Sequence, residues 1–265
     1  MPAFHFGASE APLFGYFHPP QARAGLRPAV LICPPIGEEG VRAHRMLRVL
    51  AERLARAGAP TLRFDYRSSG DSAGACEELT LGSMGADIIS AHDELIDMSR
   101  ASRAVWIGLR LGGAAAVRAA QRVPRGPAGV ILWDPIVDGT AYLSAMSEAQ
   151  ASMGLPEDSD TAQPGAPDDP AEAIGFQLSP TLRAELRAMS NADLKRKPTR
   201  RVMILAGAAT PQIASLHEAI AELEAPVDEL HDADGSAWNS DDALNAYYVP
   251  ARTIEALVEA VEGWR

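Results

Sequence analysis

Arg110 is the residue whose position most suggests a binding or catalytic role. It follows the apolar run 105–107 and precedes the Ala-rich segment 114–120. The run predicts a buried strand and the segment predicts a helix, so Arg110 lies at a helix N-terminus. A guanidinium stays protonated and is no nucleophile, but it offers paired donors to a carboxylate or a phosphate. The N–H groups that open the helix, Leu111 among them, also favour an anion. Arg110 and Leu111 are therefore predicted to bind an acidic ligand.

A structural role for Arg110 is the alternative interpretation. A partly buried cation needs a compensating partner, and the loop after the predicted strand 28–33 carries Glu38 and Glu39. Asp134, which follows another apolar run, is the third acid expected nearby. We expect one of the two glutamates to lie within hydrogen-bond range of Arg110. Both interpretations of Arg110 stay open at this point.

His231 and Asp134 are the candidates for acid–base catalysis. A histidine titrates near neutral pH and could activate a bound water beside a carboxylate. The alternative is a histidine on a half-exposed strand. Trp238 is a candidate for lining a ligand pocket, although aromatic packing in the core is its ordinary explanation.

Thiols and hydroxyls are the other groups that could attack a substrate. Cys33 ends an apolar run, and core packing explains it, since buried cysteines are common and usually inert. Cys76 lies in a predicted loop. Ser68, Ser69 and Ser72 lie in a turn-rich segment, where turn formation accounts for their hydroxyls. The chain therefore offers no clear nucleophile.

Alternating strands and helices are predicted to position these residues. Strands are predicted at 28–33, 61–66, 105–107, 129–134, 201–207 and 227–231, and helices at 43–57, 79–98, 114–120, 179–188, 214–223 and 252–264. This alternation predicts an α/β fold with a doubly wound, mostly parallel sheet. Residues 1–265 are expected to form one domain.

A change of composition after Gly139 predicts a small insertion over residues 140–198. Within it, the segment 154–172 holds four prolines and six acidic residues without a basic one. Such a segment cannot bury enough apolar surface to order itself, so we expect it to be mobile. The insertion is therefore predicted to be cap-like and partly flexible.

Bulk properties limit the classes of partner. The chain has 265 residues, 47% of them hydrophobic, and a formal net charge of −11, which disfavours nucleic acid. No apolar run reaches about 18 residues, so no membrane span is expected. The N-terminus lacks a secretory pattern, and two cysteines do not make a disulfide framework. We expect a cytoplasmic protein with no cofactor and no metal ion; a homo-oligomer stays open.

Five segments together resemble the α/β-hydrolase superfamily, namely residues 33–39, 44–47, 62–72, 108–113 and 132–137. Within it they are similar to the serine-aminopeptidase-like branch, and more closely to the bacterial hydrolase-like proteins associated with exosortase systems. Some of those proteins also carry arginine at the elbow. The resemblance covers residues 28–140 and implies the α/β-hydrolase fold. It does not specify a substrate, because one fold hosts many reactions.

The resemblance implies where a nucleophile and an oxyanion hole would lie. The elbow motif of the superfamily is G-x-S-x-G. The corresponding residues here run from Gly108 to Gly112, and Arg110 stands in the position of the serine. The oxyanion hole would use N–H groups of the loop 34–40, which contains Ile36 and Gly37, together with that of Leu111. Ile36, Gly37, Glu38 and Glu39 are therefore added to the predicted ligand-binding residues.

The other two triad positions are altered as well. The loop that usually carries the acid, 207–212, holds no carboxylate, and Asp134 would be an acid placed one strand earlier. The loop that usually carries the base, 232–239, holds no histidine, and His231 comes just before it. Joint loss implies that Ser–His–Asp chemistry has been abandoned.

The sequence therefore predicts a pseudoenzyme that lacks serine-hydrolase turnover. It would bind an acidic small molecule or a protein partner in bacterial envelope, polysaccharide or secondary-metabolite assembly, a pathway that rests on the resemblance alone. The alternative is an active hydrolase or thioesterase that uses His231, Asp134 and a water molecule. A third class is a purely structural subunit. An open pocket over Arg110 would favour binding or catalysis, and a filled one would favour a scaffold.

Overall fold

An eight-stranded sheet lies at the centre of the computed structural model, which describes residues 3–21, 27–152, 171–232, 234–239 and 248–264. The strands are β1 (Ala3–Phe6), β2 (Leu13–His18), β3 (Ala29–Cys33), β4 (Thr61–Phe64), β5 (Ala104–Leu109), β6 (Gly129–Trp133), a short pair β7 (Glu172–Ala173) and β8 (Phe176–Gln177), β9 (Val202–Ala206) and β10 (Val227–His231). The large sheet has the order β1-β2-β4-β3-β5-β6-β9-β10. The strands from β4 to β10 in this order pair in parallel. Strand β2 pairs antiparallel with β4 on one side and with β1 on the other. The predicted doubly wound, mostly parallel sheet is confirmed.

Helices cover both faces of this sheet. They are α1 (Gly37–Arg56), α2 (Leu81–Ser99), α3 (Leu111–Ala120), α4 (Gly139–Ser152), α5 (Pro180–Ala188), α6 (Pro211–Glu222) and α7 (Ala251–Gly263). None of the described helices combines the length and the apolar character that a membrane crossing needs.

Two apolar layers form because successive side chains of a strand point to opposite faces. In β5, Val105 and Ile107 pack into the layer that contains α1 and α7. Trp106 packs into the opposite layer, with α2 and α3. All three side chains are no more than 1% exposed. The central strands are therefore buried on both faces, which explains their continuous apolar sequences.

Helix α1 begins earlier than the sequence predicted. The prediction of a loop up to Gly40 and a helix from Ala43 was wrong, because α1 begins at Gly37. Two glycines in four residues argue against a helix on propensity alone. The acidic residues Glu38 and Glu39 compensate, since negative charge in a first turn is favourable. Both glutamates therefore lie on a helix and not on a loop.

The described part of the predicted insertion contains α4, the β7–β8 pair and α5. Helices α4 and α5 contact each other, and the Glu185 carboxylate of α5 accepts a hydrogen bond from the backbone N–H of Leu81 at the start of α2. This contact attaches the insertion to the body of the molecule. Residues 154–170 of the segment predicted to be mobile lie outside the described residues.

Candidate functional site

The elbow between β5 and α3 holds Arg110 in a strained backbone conformation, with φ 53° and ψ −123°. Glycines on either side make this turn sterically feasible. A Cβ on Gly108 would lie 2.5 Å from the Cα of Gly113, and one on Gly112 would lie 2.3 Å from the Pro34 carbonyl oxygen. Positive φ at a bulky residue costs free energy and persists only where the surroundings impose it. The elbow therefore keeps a demanding geometry although its central residue is arginine.

Arg110 is the centre of a cluster that we call the elbow clamp, formed by Arg110, Glu39, Asp134 and Tyr142. The Arg110 Nε donates to Glu39 Oε1 across 2.8 Å, and its Nη1 donates to Asp134 Oδ2 across 3.1 Å. The Tyr142 hydroxyl donates to the other oxygen of Glu39 across 2.9 Å. The Arg110 Cζ lies 5.9 Å from the centroid of the Tyr142 ring. The expected contact between Arg110 and a glutamate is confirmed.

Glu38 has a different partner from its neighbour. Its Oε1 accepts a hydrogen bond from Arg42 Nε across 2.8 Å, one helical turn further along α1. Consecutive residues of a helix point roughly 100° apart, so only one of the two glutamates can face the elbow. Glu39 is the residue that faces the elbow, and Glu38 pairs with Arg42 on α1.

Electrostatics keep the clamp charged. Burial alone lowers the pKa of Arg110, but the charges of Glu39 and Asp134, with the hydrogen bond that Arg110 donates to Glu39, raise it above its ordinary value. Burial and the charge of Glu39 raise the pKa of Tyr142 well above 10.0, so its hydroxyl keeps its proton. One guanidinium thus faces two carboxyl groups. With both ionised, the clamp carries one net negative charge.

Two cavities meet at the clamp. The first, of about 370 Å³, lies between the elbow, the start of α1 and the insertion, and we call it the cap cavity. The second, of about 510 Å³, lies between Asp134, the start of α4 and the loop after β9, and we call it the loop cavity. Arg110, Tyr142 and Ala145 line both. The space over Arg110 is therefore open on two sides and not filled by side chains.

The other predicted ligand-binding residues fall into two groups. Ile36 and Gly37 line the cap cavity together with Glu38 and Glu39. The Leu111 side chain is fully buried in the apolar layer, which leaves its backbone at the elbow. Trp238 is 3% exposed and packs in the layer with α1 and α7. Its placement fits the core-packing explanation.

His231 ends β10 at the edge of the sheet and is exposed. In the sheet, His231 lies opposite Ala206 of β9. Asp134, its proposed partner in catalysis, pairs instead with Arg110 in the elbow clamp. His231 is not among the residues that line the two cavities described above. The structure therefore brings together Arg110, Glu39 and Asp134, and leaves His231 on the outer strand.

The acids that follow β10 hold the fold together. Asp232 is 3% exposed, and its carboxylate accepts hydrogen bonds from the Trp133 indole across 2.9 Å and from the Thr253 hydroxyl. The Asp234 carboxylate accepts from the backbone N–H groups of Arg252 and Thr253 at the start of α7, each across 3.0 Å. These contacts explain why this loop carries acids. The sequence did not reveal the role of Asp232.

Cys33 and Ser72 have contacts that fit structural roles, whereas Cys76, Ser68 and Ser69 line the cap cavity. Cys33 is fully buried, and burial raises the pKa of its thiol, which makes it unreactive. Burial also raises the pKa of Cys76, whose Sγ lies 3.4 Å from the Gln177 carbonyl oxygen. The Ser72 hydroxyl donates to the Asp65 carbonyl oxygen across 2.6 Å, as a turn-forming residue does.

Solved structures share this architecture. A putative hydrolase from Agrobacterium vitis S4 has a TM-score of 0.59 and 20% identity, with 98% of this chain and 97% of that chain covered. Ferulic acid-bound Est1E from Butyrivibrio proteoclasticus has a TM-score of 0.65 and 19% identity, with 99% and 97% covered. An alpha-beta serine hydrolase homologue from Coxiella burnetii has a TM-score of 0.57 and 12% identity, with 98% and 95% covered. No protein-family model and no curated protein sequence matches the chain. The chain has the α/β-hydrolase fold.

Proposed function

We propose that this α/β-hydrolase-fold protein binds a small ligand and does not hydrolyse esters. One observation carries the proposal: Arg110 occupies the elbow and is fixed there by Glu39 and Asp134. A guanidinium with a raised pKa cannot become a nucleophile. At the position of the residue that would attack a substrate, the chain has a cation held by two ion pairs. This supports the proposal that the protein is a pseudoenzyme.

The surroundings of the clamp also argue against turnover. The loop after β9 faces the loop cavity with Gly207, Ala208 and Thr210, and none of these can act as a catalytic acid. No histidine lines either of the two described cavities. A catalytic triad acts as a unit, so the loss of several members removes nearly all of its rate enhancement.

An uncharged ligand fits the cap cavity better than the acidic one expected from the sequence. An anion would need a guanidinium whose charge is not already neutralised, and here two carboxyl groups compensate Arg110. A further anion would meet the net negative charge of the clamp. Apolar residues such as Leu79, Met146 and Phe176 line the cavity beside these polar groups. We therefore propose a largely apolar, uncharged ligand with one polar group directed at the clamp.

Apart from the acidic ligand, the finer expectations from the sequence are kept as proposals. The motifs quoted above support the serine-aminopeptidase-like branch, and within it the exosortase-associated bacterial proteins. We also propose a cytoplasmic location, with which the free thiols of Cys33 and Cys76 are compatible. A protein partner and a homo-oligomer, which the sequence leaves open, are also proposals.

The test combines a search for turnover with a measurement of binding. The purified full chain is assayed against short-chain nitrophenyl esters, and uncharged short-chain 1-alkanols are titrated while methyl resonances are followed by NMR. We expect no hydrolysis above the buffer rate, and saturable shifts of Met146 and Leu79 methyl groups. Saturable turnover of an ester would overturn the proposal. Loss of that turnover in His231→Ala would then favour the alternative that uses His231, Asp134 and water.

A further inference from the structure

The cap cavity and the loop cavity share three lining residues, Arg110, Tyr142 and Ala145. The Arg110 guanidinium hydrogen-bonds to Glu39, which lines the cap cavity, and to Asp134, which lines the loop cavity, so it forms part of the wall between them. We propose that Arg110 divides one continuous cleft into two compartments and so limits the length of ligand that the protein accepts. This inference rests on the proposed binding function of the cap cavity.

The wall is fixed from both sides. Glu39 holds Nε of Arg110 from the first turn of α1, and Asp134 holds Nη1 from the end of β6. Tyr142 of α4 fixes Glu39 in turn through its hydroxyl. Charge-assisted hydrogen bonds are the stronger kind, and both would have to break before the guanidinium could swing aside. Arg110 therefore acts as a fixed partition and not as a freely rotating side chain.

Both compartments have apolar walls. Leu79, Met146 and Phe176 line the cap cavity. The loop cavity is lined by Ile136, Val137 and Ile213, and also by the polar residues Asp134, Asp138, Thr210 and Gln212. A molecule with an apolar body can fill the cap cavity of about 370 Å³, but a longer one meets Arg110 before it reaches the further 510 Å³. Arg110 is thus a specificity-determining residue that acts by position.

A series of 1-alkanols from butanol to tetradecanol tests this division, because their hydroxyl is uncharged and only their length changes. Each methylene that becomes buried should raise the affinity about fourfold. For the wild-type protein we expect this rise to stop at the length that fills the cap cavity. For Arg110→Ala we expect the rise to continue over several more methylenes, because the two compartments become one.

Arg110→Met is the matched control. Methionine has an unbranched side chain that still occupies the elbow but carries no charge. Both variants lose the ion pairs with Glu39 and Asp134, so any general loosening of the site would affect both. Thermal unfolding establishes that each variant is folded at the temperature of the titration. We expect Arg110→Met to keep the wild-type length limit.

The outcomes separate the inference from the function on which it rests. A longer limit in Arg110→Ala alone supports the partition. The same limit in all three proteins, or a longer limit in both variants, overturns the partition while leaving ligand binding in the cap cavity intact. Failure of all three proteins to bind any of the alcohols overturns both the partition and the proposed function.

Discussion

Arg110 and Glu39 join two parts of the chain that are 71 residues apart, through a hydrogen bond of 2.8 Å between Nε and Oε1. Arg110 belongs to the strained elbow after β5, and Glu39 belongs to the first turn of α1, so the pair fixes the two elements that flank the site. The side chains are 22% and 12% exposed, which places the pair between a surface ion pair and a buried one.

A double-mutant cycle should detect the coupling between these two residues. Arg110→Ala and Glu39→Gln should each lower the free energy of unfolding by about 1–3 kcal/mol, because each leaves a partly buried polar group without its partner. The double variant should lose less than the sum of the two. Denaturant unfolding of the four proteins gives the values.

Glu38→Gln is the control for that cycle. Glu38 lies beside Glu39 in the sequence but pairs with Arg42. Its effect should add to that of Arg110→Ala within about 0.5 kcal/mol. Equal coupling of Arg110 to Glu38 and to Glu39 would show that the observed pairing is not specific.

Backbone strain at the elbow should reverse the usual order of alanine and glycine. Arg110 has φ 53°, a value that glycine adopts without penalty. Arg110→Gly should therefore unfold with a free energy about 1 kcal/mol higher than Arg110→Ala, since both variants lose the same ion pairs. The measurement is a comparison of denaturant midpoints.

Arg118 in α3 provides the contrast for the strain. There the order should be the ordinary one, with Arg118→Gly less stable than Arg118→Ala by about 1 kcal/mol, because a helix disfavours glycine. If Arg110→Gly were also less stable than Arg110→Ala, the result would contradict the strained geometry of Arg110.

Restoring serine at the elbow should not restore an esterase. Arg110→Ser supplies a hydroxyl, but Asp134 then loses its cationic partner and the loop after β9 still offers no carboxylate. A nucleophile without its base contributes little, because triad members act as a unit. Nitrophenyl ester hydrolysis by Arg110→Ser should stay close to the rate of Arg110→Ala. Rates typical of esterases would reveal a base outside the clamp.

Acid should destabilise the protein through His92. The His92 Nδ1 accepts a hydrogen bond from the Trp106 indole of β5 across 3.1 Å, which requires a neutral ring. Burial lowers the pKa of His92 below its ordinary value of 6.5. The unfolded chain then binds more protons, so the stabilisation is present above about pH 6.5 and is lost as the pH falls below it. His92→Gln should reduce the slope of unfolding free energy against pH in this range, and an unchanged slope would exclude His92 as its source.

The elbow could be predicted from the sequence and the clamp only in part. Gly108 and Gly112 at fixed spacing indicate a sharp turn whatever residue lies between them. Glu39 continues the buried face of α1 that Ala43, Met46 and Leu50 form, since it lies four residues before Ala43. Because Glu38 and Glu39 were predicted to lie in a loop before the helix, this periodicity was not applied to them and each acid remained a candidate.

Tyr142 could not be anticipated from a pattern in the sequence. It lies on α4, where only Gly139, Tyr142 and Leu143 are buried, so the helix shows no strong apolar periodicity. Its role arises from the hydroxyl that donates to Glu39, a residue about 100 positions earlier in the chain. Contacts of this kind depend on tertiary packing, which explains why the site was less predictable than the sheet.

The central claim is that the elbow holds a pinned arginine in place of a nucleophile. Treating the full-length protein with a fluorophosphonate probe and measuring its intact mass tests this claim most directly, because the probe adds a fixed mass to an activated serine. We predict an unmodified mass under conditions in which an active serine esterase is labelled to completion. A stoichiometric adduct mapped to a serine such as Ser68, Ser69 or Ser72 would contradict the account.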